Sequence, residues 1–145
     1  MTFKAVITIA ILAAVAIGGR MYVTGFSGAK IASPDARTSD EPMVKVSLPT
    51  LTAEQTKGES LFNQKCAVCH AKNAAGQPGV APPLVFKIYQ PRHHADMAFV
   101  LAAKNGVRSH HWTFGNMPPI DGVTDDEVKL IVAYIRALQR ENGIN

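Results

Sequence analysis

The chain has 145 residues, two cysteines and a formal net charge of +4. That length allows one domain of about 90 to 100 residues plus appendages, with a thin core of its own. Lys4 and Arg20 belong to the N-terminal segment, and from Met21 onward 13 basic residues face 11 acidic ones, a balance too weak for a nucleic-acid binder.

Residues 1–23 read as a membrane-directed segment. Lys4 precedes an apolar run from Ala5 to Gly19, about the length of a signal-peptide core and shorter than a full span of roughly 20 residues. Continuing through Met21-Tyr22-Val23 makes a span if Arg20 snorkels to the interface. The segment is read as an uncleaved anchor, with cleavage after Gly18 or Gly19 as the alternative. Residues 24–50 are rich in Gly, Ser, Thr, Ala, Pro and charge, without a sustained period. They read as a flexible tether, with an end-to-end distance on the order of 30 Å.

Residues 51–145 read as the folded domain. Thr52-Ala53-Glu54-Gln55 is a capping-box pattern that starts a helix running to about Lys65. Cys66-Ala67-Val68-Cys69-His70 follows, the C-x-x-C-H signature of c-type haem attachment. Two thiols can form thioethers to haem vinyl groups, and the adjacent histidine can reach the iron. Both cysteines are spent in this motif, so no pair is left for a disulfide. A dithiol redox pair would want a βαβ pattern around it, and none is visible. Zinc would need further ligands, which His93, His94, His110 and His111 could supply.

Residues 71–90 carry Gly76, Pro78, Gly79, Pro82 and Pro83 and are predicted as loop. A helix is predicted from about His93 to Asn105, ended by Gly106. Within it Met97 sits in an apolar stretch and reads as core. Residues 107–123 are irregular. Thr124-Asp125-Asp126-Glu127 is a second capping box, opening a final helix to about Arg140. Its apolar stripe is Val128, Ile131, Val132, Ile135 and Leu138, and Asn142-Gly143 is its stop. No strand of any length and no internal repeat is predicted.

Between Lys57 and Arg108 lie seven basic residues, Lys57, Lys65, Lys72, Lys87, Arg92, Lys104 and Arg108, against Glu59 and Asp96 alone. Acids cluster at Asp121, Asp125, Asp126 and Glu127. This distribution is either ordinary solvated charge or a positive docking face for an acidic redox partner.

From about 52 to 140 the chain resembles the class I monohaem cytochromes c of the bacterial, membrane-anchored or periplasmic kind. Beside the haem motif, Gly58-Glu59-Ser60-Leu61-Phe62 looks like that family's first helix, and Tyr134 like the aromatic partner on its last. Ala81-Pro82-Pro83-Leu84 is similar to its Gly-Pro-x-Leu stretch, with Ala81 where the family usually has glycine. Gly115-Asn116-Met117-Pro118-Pro119 is similar to its distal methionine loop.

The resemblance implies an all-α, small cytochrome c fold wrapped around one covalently attached haem c, with an N-terminal membrane-directed helix. It implies that Cys66 and Cys69 attach the haem and that His70 is the proximal ligand of the iron. The Pro82 carbonyl would fix that ring, and Leu84 would pack on the haem. Met117, in a loop directly before two prolines that limit its swing, is the expected distal ligand. Trp112 is expected to contact the haem, its indole N–H and Arg108 being candidates for a propionate. His93-His94 and His110-His111 fall outside the family pattern. They are either surface or propionate-bonding histidines, or ligands of the iron or of a second metal.

The implied activity is one-electron transfer between membrane-bound respiratory or photosynthetic complexes. A quinol-oxidising complex and a terminal oxidase are the expected partners, with no enzymatic activity, no small-molecule substrate and no nucleic acid. The implied location is the bacterial inner membrane with the haem domain in the periplasm, or the soluble periplasm after cleavage. The alternatives are a haem subunit or electron-entry module of a larger membrane enzyme and, less favoured, a haem enzyme or gas sensor.

Overall fold

The computed structural model describes residues 41–145. The membrane-directed segment 1–23 and the tether as far as residue 40 lie outside the described residues. Four α-helices order the domain: α1 (Ala53–Lys65), α2 (Ala67–His70), α3 (Asp96–Asn105) and α4 (Asp125–Glu141). Short 3-10 turns at Lys72–Ala74 and Lys87–Tyr89 join them. Among the described residues there is no strand, only isolated bridges between Gln77 and Ala81 and between Val107 and Met117. No helix among them is long and apolar enough to cross a membrane.

Both predicted capping boxes form. The Thr52 hydroxyl accepts from the Gln55 N–H while the Gln55 side chain accepts from the Thr52 N–H. Thr124 and Glu127 repeat the exchange at the start of α4. Each satisfies helix donors that have no partner within the helix. The acidic cluster of the sequence is in good part this helix start: Asp125, Asp126 and Glu127 occupy the first turn of α4, where the helix dipole favours negative charge.

The domain is held by the crossing of α1 and α4. A Cβ built on Gly58 would stand 2.0 Å from the Leu130 carbonyl oxygen, so only glycine lets the two backbones approach this closely. One turn on, Phe62 and Tyr134 meet with ring centroids 5.7 Å apart, both essentially without exposure. Such aromatic pairs add about 0.5–1.5 kcal/mol beyond the area they bury. Ile131, Ile135, Leu138, Leu84 and Val85 complete the core around them. A smaller cluster, Val100 with Val128 and Val132, seats α3 on α4.

The structure departs from the sequence expectations at three places. First, α3 starts at Asp96 rather than about His93, because residues 90–94 close a turn instead: His93 and His94 both donate their N–H to the Gln90 carbonyl. Ala95, the N-cap, has no side chain able to cap. Second, Met97 is 56 % exposed and is not core. The buried side of α3 is taken by Val100, with Phe99 half-buried beside it. Third, the folded part begins before residue 51. Met43 and Val44 donate to the Gly76 and Ala75 carbonyls. The Asn142 amide bonds both the N–H and the carbonyl of Ser47, each at 2.9 Å. Val46 and Leu51 pack on the core, so the last residues of the expected tether are part of the domain.

Candidate functional site

Cys66, Cys69 and His70 stand at positions i, i+3 and i+4 of one helical turn. The His70 N–H donates to the Cys66 carbonyl at 3.0 Å and the Cys69 N–H to the same oxygen at 3.2 Å. That spacing puts three side chains on one helix face. The backbone then breaks sharply: Ala71 has φ 58° and ψ 170°, a region that L-residues enter only at a cost of about 1–3 kcal/mol. The turn beyond it lets Gly76 donate to the His70 carbonyl at 2.8 Å.

His70 is nine-tenths buried, and its Nδ1 lies 2.8 Å from the Pro82 carbonyl oxygen. Donation from Nδ1 leaves Nε2 as the free lone pair and fixes the ring plane. Burial holds the imidazole below its ordinary pKa, opposed by the Pro82 bond, so the neutral, ligating form prevails near pH 7. Cys66 is raised to about 11 by burial and then by the neighbouring Cys69. A redox dithiol works through a depressed thiol pKa, and Cys66 has the opposite property. Ala81, where the resembled family has glycine, does not require left-handed backbone, since it is absent from the positive-φ residues.

These residues open onto a largely apolar cavity of about 570 Å³. Cys66, Cys69, His70, Pro82, Leu84, Trp112 and Met117 all lie on its wall. The structure thus brings together every expected haem-site residue except Arg108, which is exposed and not on the wall. Met117 is held by its backbone, exchanging bonds of 2.9 and 3.0 Å with Val107. Gly106, at φ +73°, allows this: a Cβ there would stand 2.6 Å from the Met117 carbonyl. Asn116 accepts from the Ser109 N–H at 2.9 Å, tying the loop across its base. Trp112 packs edge-on to Phe86 and stacks on Phe114. Its indole Nε1 is buried without a hydrogen-bond partner. The Tyr89 phenol, pushed up by burial and pulled down by the nearby indole, does not reach bonding geometry with it.

Arg136 and Gln139 are functional in a way the sequence reading missed. Arg136 is buried on α4 and donates to the Asp96 carboxylate (2.7 Å), the Tyr89 carbonyl (2.7 Å), the Gln139 side chain (2.6 Å) and the His94 carbonyl. Its guanidinium also lies 4.9 Å from the Phe99 ring centroid. Gln139 donates to the carbonyls of Leu84 (2.8 Å) and Tyr89 (3.1 Å). Together they hold the segment 84–94 that forms one wall of the cavity. A signal was present: Arg136 is one turn after Val132, and Gln139 one turn after Ile135, so both fall on the apolar stripe where a polar residue needs a reason.

The four histidines form a cluster. Ring centroids are 4.8 Å apart for His93 and His94, 5.4 Å for His93 and His111, and 4.1 Å for His110 and His111. His94, His110 and His111 also reach the cavity wall. Desolvation, then His110, His94 and His93, hold the His111 ring below its usual pKa.

The cytochrome c family model matches residues 55–139, well over half of the chain, and the chain belongs to the cytochrome c family. Searches among curated proteins and among solved structures found no match. The family's chemistry is electron transfer through covalently bound haem c. The residues present fit that group: two thiols and a neutral imidazole on one helix face, and an unpartnered indole donor on the same wall. The cavity lies within the roughly 300–1,000 Å³ usual for a cofactor.

Proposed function

We propose that this protein is a one-electron carrier with a single haem c held by Cys66 and Cys69 and ligated by His70 and Met117. The observation that carries the reading is the convergence of those four side chains on one apolar cavity, with the His70 ring already fixed by the Pro82 carbonyl. Bound there, haem iron supplies a one-electron ferric/ferrous couple, and His/Met ligation raises its potential relative to harder ligand sets. The chain's own residues do the rest. His70 presents a neutral Nε2 in a fixed plane, and the Gly106–Val107 backbone holds Met117 in place. Leu84, Val107 and Ile120 on the wall keep water out and local polarity low. No general acid, base or nucleophile is required.

Cys69 is exposed and Val68 is 79 % exposed beside it, so this side of the cavity is open to a partner's approach. Lys57, Lys72, Lys87, Arg92 and Arg108 are exposed, and Lys65 lines the cavity itself. This supports docking of an acidic redox partner, steered by long-range attraction. Quinol-oxidising and terminal-oxidase complexes are the partners we propose. The proposed location is the bacterial inner membrane, anchored by residues 1–23, with the domain in the periplasm.

The test is the ferric optical spectrum of the chain expressed with haem-attachment machinery. The expected result is a weak methionine-sulfur-to-iron charge-transfer band that disappears in Met117→Ala. Attached haem without that band would overturn the Met117 ligation in favour of a cavity-lining histidine, and an iron left open would overturn the carrier reading.

A further inference from the structure

His93, His94 and His111 come from two separate segments, yet their ligating nitrogens all lie within 4.8 Å of one another. We propose that these three imidazoles bind one borderline divalent ion, Cu²⁺ or Zn²⁺, at the rim of the haem cavity. This site is additional to the haem iron and requires only that none of these three rings fills the iron's sixth position.

The donor set selects the ion class. Three neutral imidazoles without thiolate or carboxylate suit copper and zinc, and disfavour magnesium and calcium, which want oxygen ligands. None of the ion pairs among the described residues involves these rings.

The geometry is partly prepared. His94 Nδ1 lies 2.7 Å from the Ile88 carbonyl oxygen. Donation there leaves Nε2 as the lone pair and fixes the ring, the usual outer-shell arrangement for a metal-binding histidine. The His94 carbonyl is itself gripped by buried Arg136. His94 is therefore the rigid ligand. His93 and His111 are exposed and free to turn about χ1 and χ2. Nitrogens bound at about 2.0–2.1 Å to a tetrahedral ion stand roughly 3.4 Å apart, so closing the site takes a movement of about 1.4 Å at most between the farthest pair. His110 supports the site rather than completing it. Its ring lies against His111, and its Nδ1 is bonded to the Arg108 carbonyl at 2.9 Å. Three protein ligands leave one position of a tetrahedral ion open to water, the pattern of reactive rather than purely structural sites.

The experiment uses the full haem-loaded chain, made without a polyhistidine tag, titrated separately with Zn²⁺ and Cu²⁺ at pH 7.5. Calorimetry and elemental analysis after dialysis give affinity and stoichiometry. Electron paramagnetic resonance of the Cu²⁺ form reports nitrogen ligation. The expected result is one ion per chain beyond the iron, nitrogen hyperfine structure on copper, and at least a roughly tenfold weaker affinity in His93→Ala and in His111→Ala, with an unchanged haem spectrum in His93→Ala, whose ring is not on the cavity wall. Both positions are exposed, so these variants fold. The proposal is overturned if no equimolar ion is retained, or if the double variant binds as tightly as the parent. It is also overturned if His93→Ala alters the haem ligand-field spectrum, which would make that ring a ligand of the iron instead.

Discussion

The α1–α4 crossing and the wall formed by residues 84–94 and 107–117 are built by different means. The crossing is a packing solution: one glycine without room for a Cβ, two aromatic rings and an apolar stripe at helical spacing. The wall has little regular structure and is pinned by individual polar groups, above all Arg136 and Gln139. The first kind of region fails as a whole when its shape is wrong. The second can loosen locally while the crossing stays intact.

The largest expected effect tests the crossing. Gly58→Ala forces a methyl group into the Leu130 carbonyl, and the helices must separate. A loss above about 3 kcal/mol is expected, read as a drop in the denaturant midpoint with amide protection falling throughout the domain. A stability within about 0.5 kcal/mol of the parent would show that the close approach is not required.

A smaller effect is expected at the wall. Arg136→Met keeps the apolar stem but leaves the His94 carbonyl and the Gln139 side-chain oxygen without their donor, while the Tyr89 carbonyl keeps Gln139. Asp96 is 70 % exposed and is left in water, so the cost is that of the two unpaired acceptors, about 2–4 kcal/mol. Hydrogen exchange should quicken in residues 84–94 well before it does in α1. Uniform acceleration would erase the distinction between the two regions.

The smallest effect sharpens the crossing at high pH. Burial first, and Glu59 second, push the Tyr134 phenol up to about 12, against about 10 in an unfolded chain. Between those values the unfolded chain gives up a proton that the folded one keeps. Stability therefore falls as pH rises from about 10 toward 12 and is untouched below that window. Tyr134→Phe should flatten this limb of the pH–stability curve, and an unchanged slope would assign it to other groups.

The difference between the regions also explains what the sequence disclosed. Thr52 and Thr124 act through local rules and the α4 stripe through a periodic one, so α1 and α4 could be read directly, while their crossing at Gly58, Phe62 and Tyr134 was legible only through the family resemblance. The cavity residues were legible for a similar reason: Cys66, Cys69 and His70 are neighbours on one turn, and Met117 stands beside its prolines. The late start of α3 was not, because His94 is kept out of the helix by Arg136, more than forty positions along the chain. The docking of residues 43–47 depends on Asn142 and the carbonyls of Ala75 and Gly76, partners that no local pattern announces. The histidine cluster could be seen as two pairs, but its assembly needed the turn at 90–94 and the loop at 109–112 to meet.

One consequence follows from Arg136 and Gln139 belonging to the same helix as Tyr134 and Ile135. The helix that closes the core also holds the carbonyls of the cavity wall, so dipoles around the site are anchored to the packed core of the domain. An electron arriving at such a site finds its surroundings already oriented and with little room to relax. Preorganisation of this kind lowers the reorganisation cost of a charge change. For the one-electron carrier we propose, that preorganisation is a kinetic property as much as a structural one.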